Sequence, residues 1–189
     1  VVLTVAGKTK ESSSPDPDTT FENEAVAAQR AIDELKQKGV NKIVVLSHIG
    51  YEADKALIAQ LSGVDVVVGG DSHTLTGPAS MTTYEAGTPA GDYPVLLPNK
   101  DGKNACLVQA NEYTKVVGEL KVSFDAAGDV TACSGTPHVT VSASYKRVLV
   151  VDDAGKPVLH GKGNKTWPTA TAEDIASFNQ DLTAAAFLR

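Results

Sequence analysis

Two short apolar runs with one helical stretch between them dominate residues 42–77 of the chain. The runs are residues 43–46 and 64–68, and the segment between them has the spacing of an amphipathic helix. A strand, a helix and a second strand in this order indicate a β-α-β unit, whose two strands lie parallel in one sheet. The sequence therefore predicts an α/β fold.

A polar loop follows each apolar run. The first loop carries His48, and the second carries Asp71 and His73. Sites in open α/β sheets form at the carboxyl ends of the strands. An imidazole and a carboxylate two residues apart can face one cation, and His48 from the neighbouring strand would be a third ligand. The alternative is that these side chains are ordinary hydrogen-bonded loop residues.

Composition excludes two classes of partner. The 189 residues suffice for one domain with a core, and 42% hydrophobic with 21% charged residues is ordinary for a globular protein. A net charge of −6 without a basic cluster argues against nucleic acid as a partner. No apolar run reaches the roughly 20 residues of a membrane span. Val1 opens inside an apolar run, so we expect a mature or truncated N-terminus.

Residues 1–39 are predicted to form a strand, a loop and a helix. Residues 1–5 form an apolar strand, and residues 6–20, rich in Ser, Pro, Asp and Thr, are expected to be an exposed loop. A helix is predicted over residues 22–38, with a capping box that begins at Thr19 and with Gly39 at its C-terminal end.

The rest of the chain is predicted to contain one further helix in the β-α-β unit and then mainly strands. A helix is predicted over residues 53–61, and the unbroken apolar run at residues 43–46 indicates a parallel strand covered on both faces. After a long loop over residues 74–93, we expect strands at 94–97, 104–110, 115–124 and 129–133, with hairpin turns at 101–102 and 125–128. Further predictions are a strand pair at 147–151 and 157–160, an irregular stretch at 161–170 and a helix from Thr171.

Several other side chains have alternative roles. Ser47 and Ser72 precede the two histidines, so a Ser-His-Asp hydrolase is an alternative, although neither serine lies in a Gly-x-Ser-x-Gly elbow. Glu52 and Asp54 suit the start of a helix, where carboxylates favour the helix dipole.

Weaker candidates lie further along the chain. Asn111 and Tyr113 follow a buried strand and are candidate substrate-binding residues at a pocket rim. Trp167 is expected to pack, and His138 and His160 are expected at the surface. Cys106 and Cys133 suit a disulfide in an exported protein or two buried thiols otherwise.

The stretch VNKIVVLSHIGYEADKALIAQLSGVDVVVGGDSHTLTG closely resembles the 5'-nucleotidase family of metallophosphoesterases. That family has a His loop, a helix and then GVDVVVGGHSHT or a close variant. The flanking segments also fit, so the resemblance covers about residues 1–134. It implies part of a four-layer α/β/β/α sandwich over residues 1–160, followed by an irregular, linker-type segment over residues 161–189.

The resemblance also implies the cofactors and the chemistry. Two divalent metals (Zn, Mn, Mg or Ca) would activate a water that attacks a nucleotide or another phosphate ester. His48, Asp71 and His73 would be metal ligands, although Asp71 stands where the family usually has His. The family's earlier motifs, Asp-x-His, Gly-Asp and Gly-Asn-His-Glu, do not precede this stretch. The catalytic residues would therefore lie before Val1, and none is expected in this chain.

We therefore expect an incomplete catalytic domain with little or no phosphatase activity by itself. Its unpaired edge and apolar face favour association with the missing N-terminal half or with a second copy. Because the family is usually exported, a periplasmic or secreted location and a Cys106–Cys133 disulfide are implied. The alternative is a catalytically inactive fragment that acts as a phosphate- or metal-binding module.

Overall fold

The computed structural model describes residues 2–4, 6–84 and 88–140. Apart from Thr140, these residues belong to one compact unit, Val1–Val139. Several predictions lie outside the described residues: the strand pair at 147–151 and 157–160, the helix from Thr171, the segment 161–189, His160 and Trp167.

Five strands form the main sheet. They are β1 (Val2–Thr4), β2 (Val44–His48), β3 (Val66–Val68), β4 (Val95–Pro98) and β5 (Asn104–Val108). Their order is β1-β2-β3-β5-β4, and all are parallel except β4, which runs antiparallel to β5. Strands β6 (Val116–Phe124) and β7 (Val130–Val139) form a separate antiparallel ribbon. The predicted α/β class, with a β-α-β unit followed by antiparallel hairpins, is confirmed.

Three α-helices connect the early strands: α1 (Ala6–Ser13), α2 (Glu24–Gln37) and α3 (Tyr51–Ile58). The prediction of a loop over residues 6–20 is wrong for its first half, which is α1. That half reads AGKTKESS, and its Ala, Lys and Glu are good helix formers, whereas the prolines begin only at Pro15. The predicted loop at 74–93 includes a 3₁₀ helix, Ala79–Tyr84.

The start of α2 differs from the prediction. Asn23, rather than Thr19, caps the helix, because its side-chain oxygen accepts hydrogen bonds from the backbone N–H groups of Ala25 and Val26 at 3.0 and 3.2 Å. Asparagine is among the best residues for this role. The capping-box pattern was a chance match four residues upstream.

The end of α2 follows the prediction. Gly39 has a φ of 83°, which glycine adopts without steric cost. Its N–H donates to the carbonyl of Lys36 at 2.9 Å, and the N–H of Val40 donates to the carbonyl of Leu35 at 3.1 Å. These two bonds form a Schellman motif, which satisfies the last carbonyls of the helix.

Helices α2 and α3 cover one face of the sheet. In register across that face lie Val45, Val67 and Leu107, all at most 1% exposed. Each fully buried aliphatic side chain contributes about 1.5–3 kcal/mol. The helix side chains buried in the same core are Ala28, Ile32, Tyr51, Leu57 and Ile58.

The opposite face of the sheet is covered only in part. Val66 and Cys106 pack there against β6 and β7, and the structure joins Cys106 to Cys133 of β7 in a disulfide with a Cα–Cα distance of 6.2 Å. The same face leaves four apolar side chains 38–51% exposed. We call this set the open face: Val44, Leu46, Val68 and Leu96.

The burial pattern of strand β2 tests the prediction that this strand is covered on both faces. Its burial alternates along Val44–His48, with Val45 buried between exposed Val44 and Leu46. The prediction of a strand covered on both faces is therefore wrong for β2, whereas β3 buries both Val66 and Val67. No helix in the part of the chain that the structure describes is both long and apolar enough to cross a bilayer.

Candidate metal centre

His48 and the pair Asp71 and His73 emerge at the same edge of the sheet. His48 ends β2, and the other two lie just after β3, its parallel neighbour. Asp71 and His73 both adopt left-handed backbone, with φ of 72° and 53°. A Cβ atom at Gly70 would lie 3.1 Å from His48 Nδ1. The close approach of the two loops therefore depends on a glycine at position 70.

His48 and Asp71 converge on one point. His48 Nε2 lies 3.7 Å from Asp71 Oδ1, with the imidazole 63% and the carboxylate 12% exposed. Two ligands bound at about 2.0–2.2 Å to one tetrahedral ion lie about 3.3–3.6 Å apart. The pair is therefore close to the separation that a shared ion requires, and it is open to solvent on the imidazole side. These donors fit a divalent metal.

His73 has a different neighbour. Its Nδ1 lies 2.6 Å from Glu112 Oε2, so its imidazole is held by the loop after β5. Among the described residues there is no group of three His, Cys, Asp or Glu side chains that could hold one ion. The convergence of His48, Asp71 and His73 on one cation thus remains a prediction.

Glu112 also contacts Lys115. Lys115 Nζ lies 2.7 Å from Glu112 Oε1. This hydrogen bond lowers the pKa of Glu112, and the nearby His73 acts in the same direction. The carboxylate is therefore ionised at neutral pH and accepts from both side chains.

Gln109 holds the loop that carries His73. It is 2% exposed. With its amide oriented to satisfy the surrounding donors, its side-chain oxygen accepts from the backbone N–H groups of His73 and Thr74, both at 3.2 Å. Sequence reasoning missed Gln109 and Glu112. The available signal was a polar residue that ends an apolar strand and a carboxylate three positions later.

The two serines do not support the hydrolase alternative. Ser72 Oγ accepts from the backbone N–H of Tyr51 at 3.0 Å and lies 2.7 Å from Thr74 Oγ1. It thereby caps the start of α3, whose own N-cap, Gly50, has no side chain to do so. Ser47 is only 7% exposed. Neither hydroxyl is presented as a nucleophile.

Asp54 lies beneath the two loops. Its side chain is fully buried, and a Cβ atom at Gly69 would lie 2.5 Å from its Oδ2. Among the described residues, both of its oxygens and Ser47 Oγ are without a hydrogen-bond partner. Burial raises the pKa of Asp54 to about 6, and the nearby Ser47 hydroxyl opposes this to a smaller extent. As predicted, Asp54 lies in the first turn of α3, but its carboxyl points into the fold and makes no capping hydrogen bond with any described residue.

The candidate substrate residues lie on a loop with unusual backbone. Asn111, Tyr113 and Thr114 have φ of 61°, 48° and 59°. Non-glycine residues in this conformation cluster at functional sites. Tyr113 is 77% exposed, and its ring centroid lies 5.6 Å from that of His73. The structure places this loop beside the candidate ligand His73, and the substrate-binding role remains a prediction.

Known proteins resemble this chain over most of its length. No protein-family model matches the chain. A probable 5'-nucleotidase from Treponema pallidum (strain Nichols) is 43% identical over 137 residues, which are 72% of this chain and 23% of that protein. This chain belongs to the 5'-nucleotidase family over the segment that it shares with such relatives. It spans about a quarter of the length of the curated relatives it matches.

Two solved structures show the same relationship. The 5'-nucleotidase precursor from Thermus thermophilus matches with a TM-score of 0.61 and 47% identity, over 66% of this chain and 24% of that one. The NAD nucleotidase of Haemophilus influenzae matches with a TM-score of 0.72 and 28% identity, over 97% of this chain and 34% of that one. The predicted family is thereby confirmed.

Proposed function

We propose that this chain supplies metal ligands to a metal-dependent phosphohydrolase of the 5'-nucleotidase type. The substrate class is nucleotides or other phosphate esters. The observation that carries the proposal is the 3.7 Å separation of His48 Nε2 and Asp71 Oδ1 at the carboxyl ends of two parallel strands. Homology to enzymes named 5'-nucleotidases supports the reaction class.

His48 and Asp71 would hold one divalent ion, and His73 would serve as a further ligand at the same edge. Such an ion supplies Lewis-acid stabilisation of the charge that develops on a phosphoryl group. The exposed His48 imidazole leaves the site open to substrate. Gly70 carries no side chain and so allows its loop to approach His48 closely.

Asn111 and Tyr113 are proposed to contact the substrate. The exposed Tyr113 ring lies close to His73. A phosphate ester at the ligand edge, the sheet edge that carries His48, Asp71 and His73, would therefore be within reach of the aromatic face. An exposed ring suits stacking against a base or another planar group.

The remaining catalytic groups are proposed to lie outside this chain, in a complete four-layer α/β/β/α sandwich. The open face supports this arrangement, because its four apolar side chains suit a second layer of the same domain. Association with that missing part, or self-association, would cover them. Residues 1–160 would belong to this domain and residues 161–189 to a linker-type segment.

An exported protein, either periplasmic or secreted, is proposed for the location. The Cys106–Cys133 disulfide supports it, because disulfides persist in oxidising compartments and are rare in the cytosol.

A chimera tests the proposed reaction. Residues 22–139 of this chain, which include all of β7, would replace the matching segment of the Thermus thermophilus 5'-nucleotidase, and phosphate release from AMP would be measured with Mn²⁺. We expect hydrolysis by the chimera, and a loss of about 100-fold or more with His48→Ala or Asp71→Ala, since each removes metal-borne charge stabilisation. His138→Ala on β7 is the control and should retain activity.

The unfused chain is the complementary sample. It should release little phosphate under the same conditions, because the catalytic side chains are proposed to lie elsewhere. Full activity in both ligand variants of a folded chimera would overturn the proposal, and robust metal-dependent hydrolysis by the unfused chain would overturn the placement of the catalytic groups.

A further inference from the structure

Two side chains from the end of β5 fix the position of His73. Gln109 accepts hydrogen bonds from the backbone N–H groups of His73 and Thr74 and so sets the path of the loop. Glu112 Oε2 lies 2.6 Å from His73 Nδ1 and so sets the orientation of the ring. Backbone and imidazole are therefore constrained by separate contacts from one neighbouring segment.

We propose that Glu112 is a positioning residue that makes His73 a metal ligand through Nε2. The proposal rests on the proposed function above and deepens it. A histidine that donates its Nδ1–H to a carboxylate has its proton on that nitrogen, which leaves the Nε2 lone pair for a metal. Carboxylate partners of this kind orient the ring and make the metal-binding nitrogen more basic.

The Glu112 carboxylate is itself held in place. Its second oxygen, Oε1, accepts from Lys115 Nζ at 2.7 Å, so each oxygen has one partner. The left-handed backbone at Asn111 and Tyr113 flanks Glu112 on both sides. In addition, the N–H of Asn111 donates to the carbonyl of Thr74 at 3.1 Å, which ties this loop to the loop of His73. The carboxylate therefore meets the imidazole in a preformed geometry.

The simpler alternative is that His73 and Glu112 form a surface ion pair that only joins two loops. The His73 side chain is 49% exposed, and exposed pairs contribute little to stability. The two interpretations make different predictions for the His73 ring. If Glu112 orients the ring, its loss changes the tautomer and weakens metal binding at Nε2. If Glu112 only joins two loops, its loss changes neither property in a folded variant.

The test combines nuclear magnetic resonance with a Zn²⁺ titration. Histidine ¹⁵N shifts of the metal-free protein would report which ring nitrogen of His73 carries the proton. We expect a protonated Nδ1 in the wild type and in Glu112→Gln, whose amide oxygen still accepts, and a mixture of tautomers in Glu112→Ala. On addition of Zn²⁺ the Nε2 resonance of His73 should shift, and affinity in Glu112→Ala should fall by about 10–100-fold.

A matched control exists in the same unit. Glu119 pairs with His138 Nε2 at 3.3 Å and with Lys121 Nζ at 2.9 Å, which repeats the Glu112 arrangement away from the ligand edge. Glu119→Ala should leave Zn²⁺ affinity unchanged. In a His73→Ala background, Glu112→Ala should have no additional effect, because its influence acts through that ring.

The outcomes separate this proposal from the proposed function. If the protein binds Zn²⁺ through His48 and Asp71 but Glu112→Ala keeps wild-type affinity and tautomer, the positioning role fails and the proposed function stands. Zn²⁺ bound at His73 Nδ1 would likewise overturn the positioning role. If the wild type binds no divalent ion, the proposed function fails and this proposal fails with it. Should Glu112→Ala not fold, Glu112→Met provides the same test, because it fills similar space but offers His73 Nδ1 no strong acceptor.

Discussion

The buried carboxyl of Asp54 makes stability depend on pH in a direction opposite to that of ordinary surface carboxylates. Its side chain is fully buried without a described hydrogen-bond partner, and burial raises its pKa from 3.8 to about 6. The folded state therefore holds this proton more tightly than the unfolded state does. Stability from Asp54 is present in full below about pH 3.8 and is lost as the pH rises to about 6.

The size of the effect follows from the two pKa values. They differ by about 2.2 pH units, which corresponds to about 3 kcal/mol at about 1.36 kcal/mol per unit. About 2–3 kcal/mol of this should be lost between pH 4 and pH 7. Asp54→Asn removes the titration and keeps the shape of the side chain. The buried amide of this variant changes the free energy of unfolding by an amount that does not depend on pH. The informative quantity is therefore how the difference from the wild type changes with pH, and not its size at one pH.

Urea unfolding followed by circular dichroism, at pH values from 4 to 7 with a chelator present, provides the assay. The free energy of unfolding of Asp54→Asn minus that of the wild type should rise by about 2–3 kcal/mol across this range. Asp33→Asn, on the exposed side of α2, is the control for the loss of a carboxyl at the surface. A flat difference for Asp54→Asn would refute the reasoning, because it would mean that the carboxyl is equally solvated in both states.

Three further predictions concern stability and association. Replacing both Cys106 and Cys133 by Ala opens a loop with a sequence separation of 27 and should lower the free energy of unfolding by about 3.5 kcal/mol, measured in urea, with the reduced wild type giving the same midpoint. Asn23→Ala removes the N-cap of α2 and should cost about 1 kcal/mol in the same assay; no change would show that the cap is redundant. Leu46→Lys on the open face should reduce self-association in sedimentation velocity without unfolding the protein, whereas Val45→Lys, on the buried face of the same strand, should unfold it.

The elements that local pattern defines were predictable from the sequence. The spacing of apolar residues predicted the β-α-β unit, and glycines predicted the hairpin turns. Gly39, Gly102 and Gly128 all adopt positive φ, as expected of cap and turn residues. Helix α1 was missed because the Ser- and Pro-rich stretch after it dominated the composition of residues 6–20. The cap of α2 was misplaced because two polar residues near a helix start, Thr19 and Asn23, compete on pattern alone.

Long-range contacts explain what the sequence could not provide. An unbroken apolar run such as that of β2 looks the same whether one or both faces are covered, and coverage depends on segments far along the chain. The contact of His73 with Glu112 joins positions 39 residues apart through the neighbouring strands β3 and β5. Burial of Asp54 depends likewise on the path of the loop at Gly69. The candidate ligands were identifiable by type and spacing, whereas their neighbours in space required the fold.

Metal binding by His48 and Asp71 is the central claim, and titration calorimetry with Zn²⁺ and Mn²⁺ measures it most directly. We predict saturable binding by the wild-type protein, weakened by at least about tenfold in His48→Ala and in Asp71→Ala. His138→Ala should bind as the wild type does. Equal affinity in all four proteins, or no binding by the wild type, would contradict the account.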